Sequence, residues 1–261
     1  MALDSRMSPA NGLQLPEPPR APKQGQPAFV TARSLLGLTS GMALVDSLIG
    51  GLKPDTVALI TGSSLRLQAA ERYCIRVQLP PARGGLDGGA FFIDGGNSFD
   101  IYLFTEMARK HHLAYNRALD RQLLSRAFTI YELRSLIHDS AAVFAAKKPK
   151  LLVISEVFAL FNEDVESIEA RRVVGDIASS ITEISERERV PVLITSASRP
   201  ESLTSILEER CSTSAEIADD GQRVKARLFK HPWKSPSEVS GEAGLGNYNQ
   251  DALGAEVKLH G

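Results

Sequence analysis

The stretch VALITGSSLRLQAAERY, Val57 to Tyr73, opens as an apolar run, passes through Gly62, Ser63 and Ser64, and continues at helical spacing. A strand, a tight turn and a helix in that order make the frame in which a backbone curls around phosphate. In the pattern GxxxxGK[ST] the glycines permit the curl, the lysine neutralises the outer phosphates and the hydroxyl ligates Mg²⁺. On that spacing Gly62 is the first glycine, but Leu67 stands at the second, Gln68 at the lysine and Ala69 at the hydroxyl. A β-carbon at Leu67 costs about 1 kcal/mol or more if left-handed backbone is required there. Gln68 carries no charge, and Ala69 cannot touch a metal. The stretch has the outline of a phosphate loop without its chemistry, and Leu67 is expected to close the space with its own side chain.

The elements that must position these residues follow from periodicity. Short, nearly continuous apolar runs read as strands covered on both faces: 57–61, 90–94, 123–128, 151–155 and 192–197. Stretches at helical spacing lie between them, at 64–79, 99–113, 130–146 and about 163–189. In the last, Val165, Ile168, Val173, Ile177, Ile181 and Ile184 make one apolar stripe suited to core packing. Alternating strands and helices predict an α/β fold with a mainly parallel, twisted sheet and helices on both faces. Near the end, AEIAD and KARLFKHP flank DGQR, whose Asp220–Gly221 pair suits a hairpin turn, so the sheet should finish in an antiparallel hairpin.

Composition narrows the classes further. The chain has 261 residues, 43% of them hydrophobic, which suffices for one sizeable core. A formal net charge of −1 gives no chain-wide field to draw nucleic acid or anionic lipid, so any such contact needs a local patch. Cys74 and Cys211 lack paired spacing and read as free thiols in a reducing cytoplasm, and the histidines lack metal-ligand spacing. No apolar run approaches the length of a membrane span. Residues 1–30 hold six of the 14 prolines and almost no periodic apolar pattern, so they are expected to form a disordered tail. The core is expected over 31–235, with a flexible, glycine-rich tail over 236–261.

Upstream of the opening stretch lies LTSGMALVDSLIGGLKPDTVALITG, and with it FFIDGGNSFD, LLSRAFTIYEL, LLVISEVFALF and VPVLITSASRP recur in order over about 38–232. These five blocks together resemble the P-loop ATPase core of RecA/RadA-type recombinases and their paralogs. A looser P-loop relative, such as a circadian-clock-type ATPase domain, shares the general frame. The resemblance implies further losses. Where the family ends its fourth strand in a metal-supporting aspartate, this chain has Ser155. Glu156 follows, but alternation along a strand should aim it away from the site unless a bulge intervenes. The family's water-activating glutamate aligns with Gly96, and its γ-phosphate-sensing glutamine with Ser196 and Ala197.

Phosphoryl transfer rests on positioning and charge neutralisation, so losing the lysine, the hydroxyl, the aspartate and the glutamate together argues against turnover. The resemblance thus implies a degenerate nucleotide site at Gly62, Ser63, Ser64, Leu67, Gln68, Ala69, Gly96 and Ser155, with neither ATP nor Mg²⁺ as cofactor. In the family, DNA meets two loops after the fourth and fifth strands. Here the first, about 162–172, begins acidic with Glu163, Asp164, Glu166 and Glu169 before Arg171 and Arg172. The second offers Arg199 and Arg210. A basic ribbon with Arg223, Lys225, Arg227 and Lys230 is the other candidate DNA contact, although lysines on edge strands are also a common guard against aggregation.

Three readings remain open. The chain could be a non-catalytic RecA/RadA-like paralog acting as an accessory or regulatory subunit in recombination and repair. Its partners would then be a recombinase or paralog subunit and, weakly, single- or double-stranded DNA, with no membrane. It could instead be a DNA-dependent ATPase that uses substitute residues, or a regulator unrelated to repair on the same scaffold.

Overall fold

The computed structural model describes residues 37–161, 167–197 and 200–242. Its strands are β1 (Val57–Gly62), β2 (Ala90–Asp94), β3 (Gln122–Arg126), β4 (Leu151–Ser155), β5 (Val192–Ser196), β6 (Thr213–Asp219), β7 (Arg223–Lys230) and β8 (Ser237–Glu242). They form one sheet in the order β3-β2-β4-β5-β1-β6-β7-β8. From β3 to β6 the neighbours run parallel, and β7 and β8 add antiparallel pairings. Every residue of β2, β4 and β5 is buried, as continuous apolar runs require when helices cover both faces.

The helices are α1 (Ala43–Ile49), α2 (Leu65–Arg76), α3 (Ile101–Lys110), α4 (Tyr115–Asp120), α5 (Ile130–His138), α6 (Ser140–Lys147), α7 (Ser167–Glu188) and α8 (Glu201–Arg210). On one face Tyr73, Phe104, Met107 and Ala118 pack with Phe92 and Val153. On the other, Leu133, Ile137, Val173, Ile177 and Leu207 pack with Leu59, Ile93 and Ile154. The result is the α/β core expected from the sequence, with α2 carried on the C-terminal end of the central strand β1.

Several local expectations change. The helix expected over 99–113 is α3, with α4 after it, and the one over 130–146 divides into α5 and α6 at Asp139. Ile168 is 80% exposed rather than part of the α7 stripe, which is carried by Val173, Ile177, Ile181 and Ile184. Val165 lies outside the described residues. β3 is an edge strand with Leu124 44% exposed, because no strand pairs with it on that side among the described residues. After β5 the chain forms α8, a helix not among those expected, which buries Leu203, Thr204 and Leu207. The antiparallel part is three strands deep, since Ser237–Glu242 pairs with β7 where the sequence suggested the start of a tail. Alternation in SEVSGE is too polar to announce a strand, and pairing with β7 supplies what its own pattern lacks. The N-terminal tail of 1–30 and residues 243–261 lie outside the described residues.

Candidate functional site

β1 ends at Gly62 and α2 begins at Leu65, so only Ser63 and Ser64 make the turn between them. The Ser63 amide donates to the Ile217 carbonyl at 2.6 Å, the Arg66 amide to Ser63 at 3.1 Å and the Leu67 amide to Ser64 at 3.0 Å. The Gln68 amide also donates to Ser64, at 3.4 Å. A phosphate loop turns such amides toward its ligand. Here they are engaged within the chain, because the helix starts before the residues that would close the curl. Gly62 has a φ of +104°, and a β-carbon on it would lie 2.2 Å from the Ile217 carbonyl oxygen. Its glycine character is therefore demanded by the neighbouring strand β6.

Leu67 and Gln68 are half-buried and Ala69 is fully buried in α2. The side chain that fills the end of β1 is Arg66 rather than Leu67. Its Nε donates to Glu156 Oε1 at 2.7 Å and its Nη1 to the Gly62 carbonyl at 2.7 Å. Successive helical residues point about 100° apart. With α2 starting at Leu65, position 66 takes the inward direction and 67 turns aside.

Glu156 reverses a second expectation. Strand alternation should carry it away from the site, yet its φ is +58°, so the chain leaves β4 at Ser155 and folds the carboxylate inward. Its Oε2 accepts the Ala197 amide at 3.1 Å. A β-carbon on Gly96 would stand 2.6 Å from Glu156 Cβ and Cγ. Gly96 is thus a glycine beside a carboxylate that enters from another strand.

Ser155 is buried and shares a hydrogen bond with Ser98 Oγ at 2.7 Å and another with Thr195 Oγ1 at 3.2 Å. Ser98 Oγ also lies 3.0 Å from Asp94 Oδ1. Asp94, at the end of β2, accepts the amides of Gly96, Ser98 and Phe99. On α2, Glu71 is 2% exposed and accepts the Asp100 amide at 2.7 Å. Burial is the main cause that pushes its carboxyl up to about 8; the Asp100 amide it accepts works against the rise, and the charges of Asp100 and Asp94 add to it. Asp94 is also paired with Arg126, whose Nε lies 3.7 Å from Asp94 Oδ2, while the carboxylate partner of Arg66 is Glu156. Sequence reasoning passed over Arg66 and Glu71. The available signals were a cation, Arg66, inside the loop frame and the adjacent Gly95 and Gly96, which leave room for a side chain from elsewhere.

The basic candidates do not converge on this site. Arg227 Nη2 pairs with Glu238 Oε2 at 2.9 Å, and Arg227 also stands opposite Glu216 in the sheet register. Lys230 Nζ donates to the Glu208 carbonyl at 2.7 Å, satisfying the C-terminal end of α8. Arg210, Arg223 and Lys225 are exposed. Arg199, like 162–166 of the first expected loop, lies outside the described residues, and Arg171 Nη1 donates to the Ser202 carbonyl at 3.0 Å. Cys74 and Cys211 are free and buried. Among the described residues no group of side chains could hold a metal ion, and no helix is long and apolar enough to cross a membrane.

A central β1 running into α2, inside a mainly parallel sheet that ends in antiparallel strands, defines a RecA-like core. The Rad51 family model matches residues 31–210, and the chain belongs to the Rad51 family. It is 28% identical over 178 residues to the meiotic recombination protein DMC1 homolog A of Oryza sativa subsp. indica, covering 66% of this chain and 52% of that protein. The DMC1 homolog of Lilium longiflorum is 26% identical, with 66% and 51% covered. That of Arabidopsis thaliana is 24% identical, with 66% and 52% covered. The chain spans about half the length of these curated relatives.

Proposed function

We propose that this chain is a non-catalytic member of the Rad51 family, an accessory or regulatory subunit in DNA recombination and repair that does not use ATP. The observation that carries the reading is the α2 start at Leu65, which engages the amides of residues 66–68 in the helix and turns Arg66 into the space at the end of β1. The lysine, the hydroxyl and two carboxylates of the family's site have no equivalent at Gln68, Ala69, Ser155 and Gly96. The meiotic recombination proteins it resembles support a role beside a recombinase or a paralog subunit. Direct DNA contact would be weak, because Arg227 is paired with Glu238 and Lys230 is committed to α8. A reducing, cytoplasmic setting accords with the two free buried thiols.

Isothermal calorimetry with ATP–Mg²⁺ tests the reading. Each lost charge-assisted contact removes about 1.5–3 kcal/mol, so micromolar binding should fall to millimolar or weaker. The triple variant Leu67→Gly, Gln68→Lys, Ala69→Thr should not release phosphate from ATP, because Ser155 and Gly96 still supply no carboxylate. Micromolar binding by the wild type, or turnover by the triple variant, would replace this reading with an ATPase that uses substitute groups. Co-purification of a recombinase or paralog subunit with the full chain tests the accessory role.

A further inference from the structure

We propose that Arg66 and Glu156 form a built-in latch that positions the chain leaving β4 and the chain leaving β5. The inference rests on the non-catalytic reading and deepens it. Glu156 is the first residue after β4, and its two carboxylate oxygens point to two different elements. One accepts Arg66 Nε from α2 at 2.7 Å and the other accepts the Ala197 amide, the first after β5, at 3.1 Å. Arg66 in turn binds the carbonyl of Gly62, the last residue of β1. One buried ion pair therefore ties together the ends of β1, β4 and β5 and the start of α2.

The surroundings are shaped for this pair. Glu156 holds a positive φ, which a non-glycine residue keeps only when its neighbours over-determine it. Gly96 leaves free the volume in which the Glu156 side chain lies. The left-handed turn also sets the next amides, since Val157 donates to the Thr195 carbonyl and Ala159 to that of Glu156 itself. Loss of the pair should release this turn first. Arg66 and Glu156 are positioning residues here, acting through the backbone they hold.

Amide hydrogen exchange on the full chain reads the latch directly. In Arg66→Met and in Glu156→Met, exchange at Val157, Ala159 and Ala197 should quicken about tenfold or more beyond any change at Phe92 in β2 or Leu228 in β7. Each single variant leaves a buried charge without its partner and is expected to melt lower. The double variant Arg66→Met/Glu156→Met removes both charges and both acceptors, so its melting temperature should recover toward wild type while the three amides remain fast. Arg66→Lys should restore them only in part, since an ammonium cannot reach both Glu156 and Gly62 in the geometry of a guanidinium. A double variant with recovered melting and wild-type exchange at these amides would overturn the latch, as would single variants whose exchange changes uniformly across the sheet. Calorimetry with nucleotide decides the functional reading separately, so the two can fail independently.

Discussion

A Gly62→Ala variant is expected to melt about 10 °C below the wild type, corresponding to a loss of about 3 kcal/mol in a core of this size. Two penalties act at one atom. The φ of +104° is strained for any residue with a β-carbon, and that carbon would lie 2.2 Å from the Ile217 carbonyl oxygen and 3.0 Å from its carbonyl carbon. Both clashing atoms are backbone, in a strand held by the Gly62–Ile217 pairing and by the Ser63 amide on that same carbonyl. The cheapest relief is to part β1 from β6, which opens the middle of the sheet. Gly175 is the control. It lies in α7 with nothing within 4 Å of an added β-carbon, so Gly175→Ala should stabilise by about 0.5–1 kcal/mol. Thermal melting of the two variants checks the pair of expectations. A Gly62→Ala protein as stable as the wild type would show that β1 and β6 accommodate the added carbon without parting.

The second large effect is the pH dependence set by Glu71. Its folded-state carboxyl sits at about 8 against an ordinary value of 4.5, chiefly because it is buried. The folded protein therefore holds this proton more tightly than the unfolded chain. Its contribution is fully present below about pH 4.5, declines as the pH rises toward 8 and is gone above it. The decline amounts to about 2–4 kcal/mol, because each pH unit crossed between the two values removes at most about 1.36 kcal/mol. Glu71→Gln keeps an acceptor for the Asp100 amide and cannot ionise. Its stability should be nearly flat across that window and should exceed the wild type's at pH 9. Urea unfolding at pH 5, 7 and 9 measures both slopes. A wild-type slope retained in Glu71→Gln would assign the titration to another group.

Much of the architecture was legible in the residues. Runs such as LLVIS and AFFID are apolar at nearly every position, and only a strand covered on both faces uses such a run economically. The failures are equally physical. α8 has a weak apolar stripe and forms because Leu203 and Leu207 find a core to enter. Ile168 continues the spacing of the α7 stripe but stands 80% exposed near the first turn of the helix. SEVSGE becomes β8 through pairing with β7 and through no strong pattern of its own.

At the candidate site the division is sharper. Residue identity alone determined what these positions cannot supply, because Gln68 has no side-chain charge, Ala69 no side-chain oxygen, and Ser155 and Gly96 no carboxylate in any conformation. What occupies the space depended on direction. Leu67 stood at the second glycine position with an apolar side chain to bury, and Glu156 by strand alternation belonged on the opposite face. An early helix start turned Arg66 inward, and a left-handed residue after β4 brought Glu156 to meet it. Side-chain chemistry is a property of each residue and can be read in one dimension. Which side chain points into a space depends on where a helix begins and where a strand ends, and those are set by contacts between residues far apart in the chain, such as Gly62 with Ile217 and Gly96 with Glu156.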